Sequence, residues 1–148
     1  MKTLKNMERK WNKMALTAGR NTVEITDGKT LILPVKANTK IFEGSIVVVD
    51  ATGFAVPGKK AEGLLIAGRA EEFVDNTGPG NANGAKTVRV RRGVFKYSND
   101  ATNPITAADS LKECYIFDDE TVTMLAVGTS KAGKIIRLDG DQVIVEIL

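Results

Sequence analysis

The chain has no histidine, one cysteine, four prolines and few aromatic residues. Without histidine it lacks the side chain most used for acid–base work near neutral pH and the commonest metal ligand. The single cysteine, Cys114, leaves no internal disulfide to form. Set between Glu113 and the apolar Tyr115-Ile116-Phe117, it suits a buried strand thiol rather than a nucleophile beside a basic partner, and it is compatible with a reducing cytoplasm. No apolar run approaches the ~20 residues that span a bilayer. The basic N-terminus is not followed by the apolar block of a secretory signal, so a soluble chain that is not exported by the usual route is expected. A length of 148 residues fits one domain. Such a domain buries roughly two-thirds of its unfolded surface, enough for a core without staples.

What is present first is periodicity. Leu4, Met7, Trp11, Met14 and Ala18 recur at steps of three and four, with Lys2, Lys5, Arg9, Lys10 and Lys13 between them. The spacing predicts an amphipathic basic helix over the first eighteen residues. An isolated helix of that length is marginal in water, so it needs a surface to lie on. Up to Arg20 there are six cations and one carboxylate, whereas the rest of the chain carries fifteen and seventeen. The net charge of +3 therefore belongs to an arm, residues 1–20, ahead of a β-rich body, residues 21–148.

The body alternates short apolar runs with turn residues. Val23-Glu24-Ile25-Thr26 and Leu31-Ile32-Leu33 flank Asp27-Gly28 and read as a hairpin. Ser45 to Val49 is the most β-branched run, turned by Asp50 to Gly53 into Phe54-Ala55-Val56 and closed by Pro57-Gly58. Leu64 to Ala67 begins a strand expected to continue from Ala70 to Val74. Thr77 to Gly84 is a loop by composition, expected to be a mobile tip. Val88 and Val90 alternate with Arg89 and Arg91, but Phe95 and Tyr97 fall in the opposite phase, which predicts a bulge at Arg92-Gly93. Ile105 to Asp109 suits a brief helical turn. Leu125-Ala126-Val127 and Ile135 to Leu138 read as strands, and a last hairpin turns at Asp139-Gly140. Ile46 to Asp50, Val56 and Ala67-Gly68-Arg69 are echoed by Tyr115 to Asp118, Val122 and Ala132-Gly133-Lys134, a hint of pseudo-symmetry. The expected fold class is mainly β, a small β-barrel or sandwich built from hairpins, with the N-terminal arm added.

Three motifs carry chemistry on paper. Gly128-Thr129-Ser130-Lys131-Ala132-Gly133-Lys134 has phosphate-loop spacing, but Ile135 replaces the magnesium-binding hydroxyl and a strand follows where a helix must open. Asp118-Asp119-Glu120 and Asp139-Gly140-Asp141 complete no calcium-loop pattern and read as turns. Arg89, Arg91 and Arg92 form the cationic cluster of the body. On one face they can grip carboxylates bidentately, and Phe95 and Tyr97 nearby suggest a stacking platform for nucleic acid. Pairing with Glu71, Glu72 and Asp75, within the chain or across a subunit boundary, is favoured because the body is slightly acidic. No catalytic residue, cofactor or metal ligand is assigned, and an enzyme is not expected.

The tracts Met14 to Arg20, Val35 to Thr39 with Gly44, Ala67 to Gly78, Val88 to Phe95, Cys114 to Val122 and Ala132-Gly133-Lys134 before a final Val-Ile-Val-Glu-Ile strand together resemble the structural cement, or capsid decoration, proteins of tailed bacteriophages. The likeness runs from Met14 to Leu148, and residues 1–13 precede it as an extra arm or an upstream start; the arm's periodicity argues that it is used. The resemblance implies a β-rich virion protein on the outer surface of the capsid, made in the host bacterial cytoplasm. Its partner would be the major capsid protein, and it would act as a homo-oligomer, a trimer being favoured. Contact residues are expected at Lys2, Lys5, Met7, Arg9, Lys10, Trp11, Lys13 and Met14 on the arm, and at Glu71, Glu72, Arg89, Arg91 and Arg92 on the body. The alternative is a nucleic-acid-binding β-module using the arm and the Arg89/Arg91/Arg92 strand. The arm's basic face opposite Trp11 and Met14 also suits a membrane interface. The preferred partners are proteins, with no specific nucleic acid and no membrane.

Overall fold

The computed structural model describes residues 15–148, so the contact residues expected from Lys2 to Met14 lie outside the described residues. Residues 15–20, the remainder of the arm, are exposed and not helical. The body is built from twelve strands: β1 (Thr30–Pro34), β2 (Thr39–Ile41), β3 (Ile46–Val49), β4 (Ala55–Pro57), β5 (Leu65–Ala70), β6 (Val74–Asn76), β7 (Thr87–Arg91), β8 (Gly93–Asn99), β9 (Glu113–Ile116), β10 (Thr121–Thr123), β11 (Lys131–Asp139) and β12 (Gln142–Ile147). A single 3-10 turn, Ala107–Asp109, falls where a brief helical turn is expected. Among the described residues no helix is long and apolar enough to cross a membrane.

The strands form two bodies of the same topology. The second is a closed barrel in the order β10-β8-β12-β11-β9, and the first is a five-stranded sheet in the order β1-β7-β5-β3-β4. Matching β1 with β8, β3 with β9, β4 with β10, β5 with β11 and β7 with β12 makes every neighbour correspond, each adjacent pair antiparallel. The echo in the sequence thus coincides with a repeated architecture, and its Ala-Gly dipeptides occupy equivalent bulges. The register slips beside Gly68 where β5 meets β3, and beside Gly133 where β11 meets β9. At both places the neighbouring strand comes too close for a side chain. A Cβ on Gly68 would stand 2.3 Å from the Arg91 carbonyl oxygen, and one on Gly133 2.4 Å from that of Glu146.

Closure distinguishes the two. In the second barrel β8 and β10 run parallel, and the Ser98 and Asn99 stretch bonds across: Ser98 N–H donates to the Glu120 carbonyl and Asp100 N–H to that of Val122. In the first, Lys36 N–H donates to Ala55, the equivalent of the second bond, and Val35 and Ala55 form one isolated parallel bridge. Pro34 stands where Ser98 stands and has no N–H to give, so the first barrel closes at one point only. The Lys36 ammonium donates to Asp50 at 2.6 Å beside this seam. That contact, with the Thr52 hydroxyl, holds the Asp50 carboxyl well below the usual carboxylate range.

The two bodies share a wall. All of Ile46, Val47 and Val48 are fully buried, because Val47 packs with Val35, Ile41, Ala55, Val88 and Val90 inside the first body, while Ile46 and Val48 join Cys114, Ile116, Val122, Val143 and Val145 in the second core. Two-sided burial is what an unbroken β-branched run encodes. Burial pushes the Cys114 thiol up to about 12, consistent with an inert strand thiol.

Several local expectations are corrected. Val23 to Thr26 forms no strand; Thr26 and Asp27 side chains instead accept the N–H groups of Gly28 and Lys29, and β1 pairs with β7. The strand expected to continue from Ala70 to Val74 breaks at Glu71-Glu72, and Val74 to Asn76 pairs with β2. The phase change at Arg92-Gly93 is not a bulge within one sheet but the passage of the chain from the first body to the second. Leu125 to Val127 is a loop, because the Thr129 hydroxyl donates to the carbonyls of Leu125 and Ala126 and folds it back.

Two outcomes follow. Gly68→Ala and Gly133→Ala should each cost more than about 2 kcal/mol in urea unfolding, whereas Gly19→Ala, with open space around it, should stay within about 0.5 kcal/mol. Asp50 has a depressed folded-state pKa, so its contribution is complete above the unfolded value and fades as pH falls through the folded one. The stability gap between wild type and Asp50→Asn should therefore be present at neutral pH and narrow progressively below about pH 4.

Candidate functional site

β7 places Arg89 and Arg91 on the outer face of the first body, because the intervening Val88 and Val90 point into its core. Across the strand pair, Arg89 faces exposed Ile32 and Arg91 faces Thr30. Directly opposed residues share a face, so Ile32 lies beside Arg89 and diagonal to Arg91 on one surface. Arg92 lies at the passage between the bodies; its N–H donates to the Lys29 carbonyl, and its Nε is buried without a partner. Beside it runs a groove of about 430 Å³ lined by Asp27, Lys29, Arg91, Arg92, Phe95 and Leu148 among others.

The expected internal pairing takes another form. Glu71 is held by Arg69, at 2.5 Å. Glu72 accepts the backbone N–H of Arg89 rather than a guanidinium, and Asp75 accepts from the Thr77 N–H and hydroxyl. Among the described residues, Arg89, Arg91 and Arg92 form no salt bridge. Arg69 is the cation that sequence reasoning missed. It also lies 4.5 Å from the ring centre of Phe95, bridging the two bodies. Arg69 and Glu71 stand two apart, but β5 ends at Ala70 between them, so strand alternation alone does not pair them.

The stacking platform is not presented. Tyr97 is buried, with its hydroxyl unpartnered and its phenol pushed upward by burial, and Phe95 lies beneath Arg69. The phosphate-loop spacing ends in β11, and its hydroxyls are structural: Ser130 donates to the Ala61 carbonyl and accepts from the Leu64 N–H. Asp139 pairs with Lys96, and Asp118 accepts the Glu120 N–H as a turn residue does. Among the described residues no three His, Cys, Asp or Glu side chains converge as metal ligands.

Compared with family models, curated proteins and solved structures, the chain matches none.

Arg69→Ala should cost about 1–2 kcal/mol in urea unfolding, through the lost Phe95 contact and the stranded Glu71. Arg89→Ala and Arg91→Ala, exposed and unpaired, should each change it by no more than about 0.5 kcal/mol. A reversed order would place the structural role on β7.

Proposed function

We propose that the chain is a phage virion structural protein without catalytic activity, which decorates the outer capsid surface and stabilises it by binding between major head protein subunits. The order of its sequence tracts supports this reading, and one observation on the body carries it: Arg89 and Arg91 share an exposed face with Ile32, and among the described residues neither guanidinium forms a salt bridge. Arginine around an aliphatic centre has the composition of protein interfaces, and its planar fork accepts a partner carboxylate through two parallel hydrogen bonds. The basic arm supplies a second attachment, to an acidic protein surface.

The nucleic-acid alternative draws on the same cations, but Tyr97 is buried and Arg69 lies over the Phe95 ring. Its signature is steep salt dependence.

Co-sedimentation with purified phage heads tests the proposal. Arg89→Glu/Arg91→Glu should remove most head occupancy while leaving the urea midpoint in place, and a head-protein carboxylate changed to lysine should restore part of it. A variant lacking residues 1–13 should keep β-type circular dichroism and bind heads more weakly. Full occupancy by the arginine variant, with duplex DNA binding lost between about 50 and 200 mM salt, would favour the alternative instead.

A further inference from the structure

The first body carries an insertion that the second lacks. β2 and β6 pair as a short ribbon outside the five-stranded sheet, and just beyond its paired residues Phe42 and Phe73 stack with ring centres 5.2 Å apart, both exposed. From Phe42 the chain runs through Glu43, Gly44 and Ser45 into β3, and the β9–β10 turn of the second body comes against it, Ile46 N–H donating to the Asp119 carbonyl at 2.8 Å. Between them lies a cleft of about 310 Å³ lined by Phe42, Glu43, Gly44, Ser45, Asp119 and Glu120.

Its chemistry is one-sided. Three carboxylates line it with no cation among the lining residues, and none of Glu43, Asp119 and Glu120 forms a salt bridge among the described residues. Ser45 is 6% exposed, and its hydroxyl has no hydrogen-bond partner. Buried hydroxyls are normally satisfied, so an unpaired one lining an open acidic cleft marks a place where a donor or acceptor arrives from outside. A ligand with ammonium or guanidinium groups and apolar side chains to lie on the phenylalanine pair fits these features.

The chain holds such a ligand. Residues 1–14 carry Lys2, Lys5, Arg9, Lys10 and Lys13 with Leu4, Met7, Trp11 and Met14, and the single acid Glu8. We infer that this basic N-terminal segment of one copy docks in the Glu43/Asp119/Glu120 cleft of a second copy, its lysines meeting the carboxylates and its Trp and Met side chains covering Phe42 and Phe73. The segment is free to reach a second copy. Residues 15–28 are all exposed, and the backbone bonds that Thr22 and Gly28 donate stay within that stretch. They emerge beside Lys29, Arg91 and Arg92, a cationic margin that repels the segment from its own exit. Thr30, Arg91, Arg69 and Ile46 stand in one row, so β3 lies three strands from that exit, roughly 14 Å, a distance that residues 15–28 also span within one copy, and the isotope pattern below separates the two routes. Each copy then offers one arm and one cleft, an arrangement that closes as a reciprocal pair or a ring.

This identifies the acidic surface that the proposed function leaves open, and its test does not require capsids. Equal amounts of ¹⁴N- and ¹⁵N-labelled full-length protein are mixed and treated with a carbodiimide, which joins touching lysines and carboxylates. Peptides joining Lys2, Lys5, Lys10 or Lys13 to Glu43, Asp119 or Glu120 should be recovered, half of them carrying both isotopes. Glu43→Lys/Glu120→Lys should abolish these links and raise the oligomer dissociation constant at least tenfold in sedimentation equilibrium, and Lys10→Glu/Lys13→Glu in the same chain should recover part of the loss. Links carrying one isotope only would put the arm on its own copy and overturn the exchange. No link to the cleft, or a monomer at every concentration, overturns it as well. Arm links that form only to head protein when heads are added overturn this inference while leaving the decoration reading intact.

Discussion

β3 is the constraint on which the rest of the molecule depends. A strand with one face in each of two cores must be apolar at every position, and Ile46-Val47-Val48 is buried without a break. That double burial joins two five-stranded bodies that could otherwise separate, since each has its own full set of neighbouring strands. Burying one such aliphatic side chain is worth roughly 1.5–3 kcal/mol, so exposing any of the three is a large loss against a net stability of about 5–15 kcal/mol. The wall also positions the surface features. Ile46 anchors the β9–β10 turn through its N–H, which brings Asp119 and Glu120 against Glu43, and on the far side of the same sheet β7 carries Arg89 and Arg91 outward.

The two bodies show how one topology acquires different edges. Gly68 and Gly133 solve the same packing problem in both, allowing a neighbouring carbonyl closer than any Cβ permits. Pro34 and Ser98 then separate them. A serine N–H at this position completes a second cross-barrel bond, and a proline cannot. The half-closed body leaves the β1 side of its sheet without a further strand beyond the Val35 bridge, and a proline on that edge discourages uncontrolled pairing with other chains. The closed body meets no such need, and its hairpin at Asp139-Gly140 is short where the first body inserts β6 between β5 and β7.

Much of this was legible in the sequence where the signal was local. The Asp50 to Gly53 turn, the Asp139-Gly140 hairpin, the alternation in β12 and the 3-10 turn after Asn103 follow from turn chemistry and a period of two. What was not legible depended on partners. Val23 to Thr26 has the composition of a strand, but composition does not supply a neighbouring strand. A one-residue phase shift at Arg92 reads alike whether a strand bulges or crosses to another sheet, because both move the next side chains to the opposite face. Leu125 to Val127 is apolar enough for a strand, yet a single hydroxyl from Thr129 claims its carbonyls. At the candidate site, the shared face of Arg89 and Arg91 was readable from alternation, whereas the transfer of Glu71 to Arg69 was decided by a competitor two residues away.

That competition explains why β7 remains available to a partner. Arg69 is fixed from two sides, by the Glu71 carboxylate and the Phe95 ring, and so consumes the nearest acid. Glu72 is turned to a backbone N–H, which a carboxylate bonds without neutralising a cation. Among the described residues the outer arginines are thus left without a salt bridge on the face that carries Ile32, and so are Glu43, Asp119 and Glu120 in the cleft beside two phenylalanines. Like charges brought together cost several kcal/mol, so neither face is suited to pairing with its own kind.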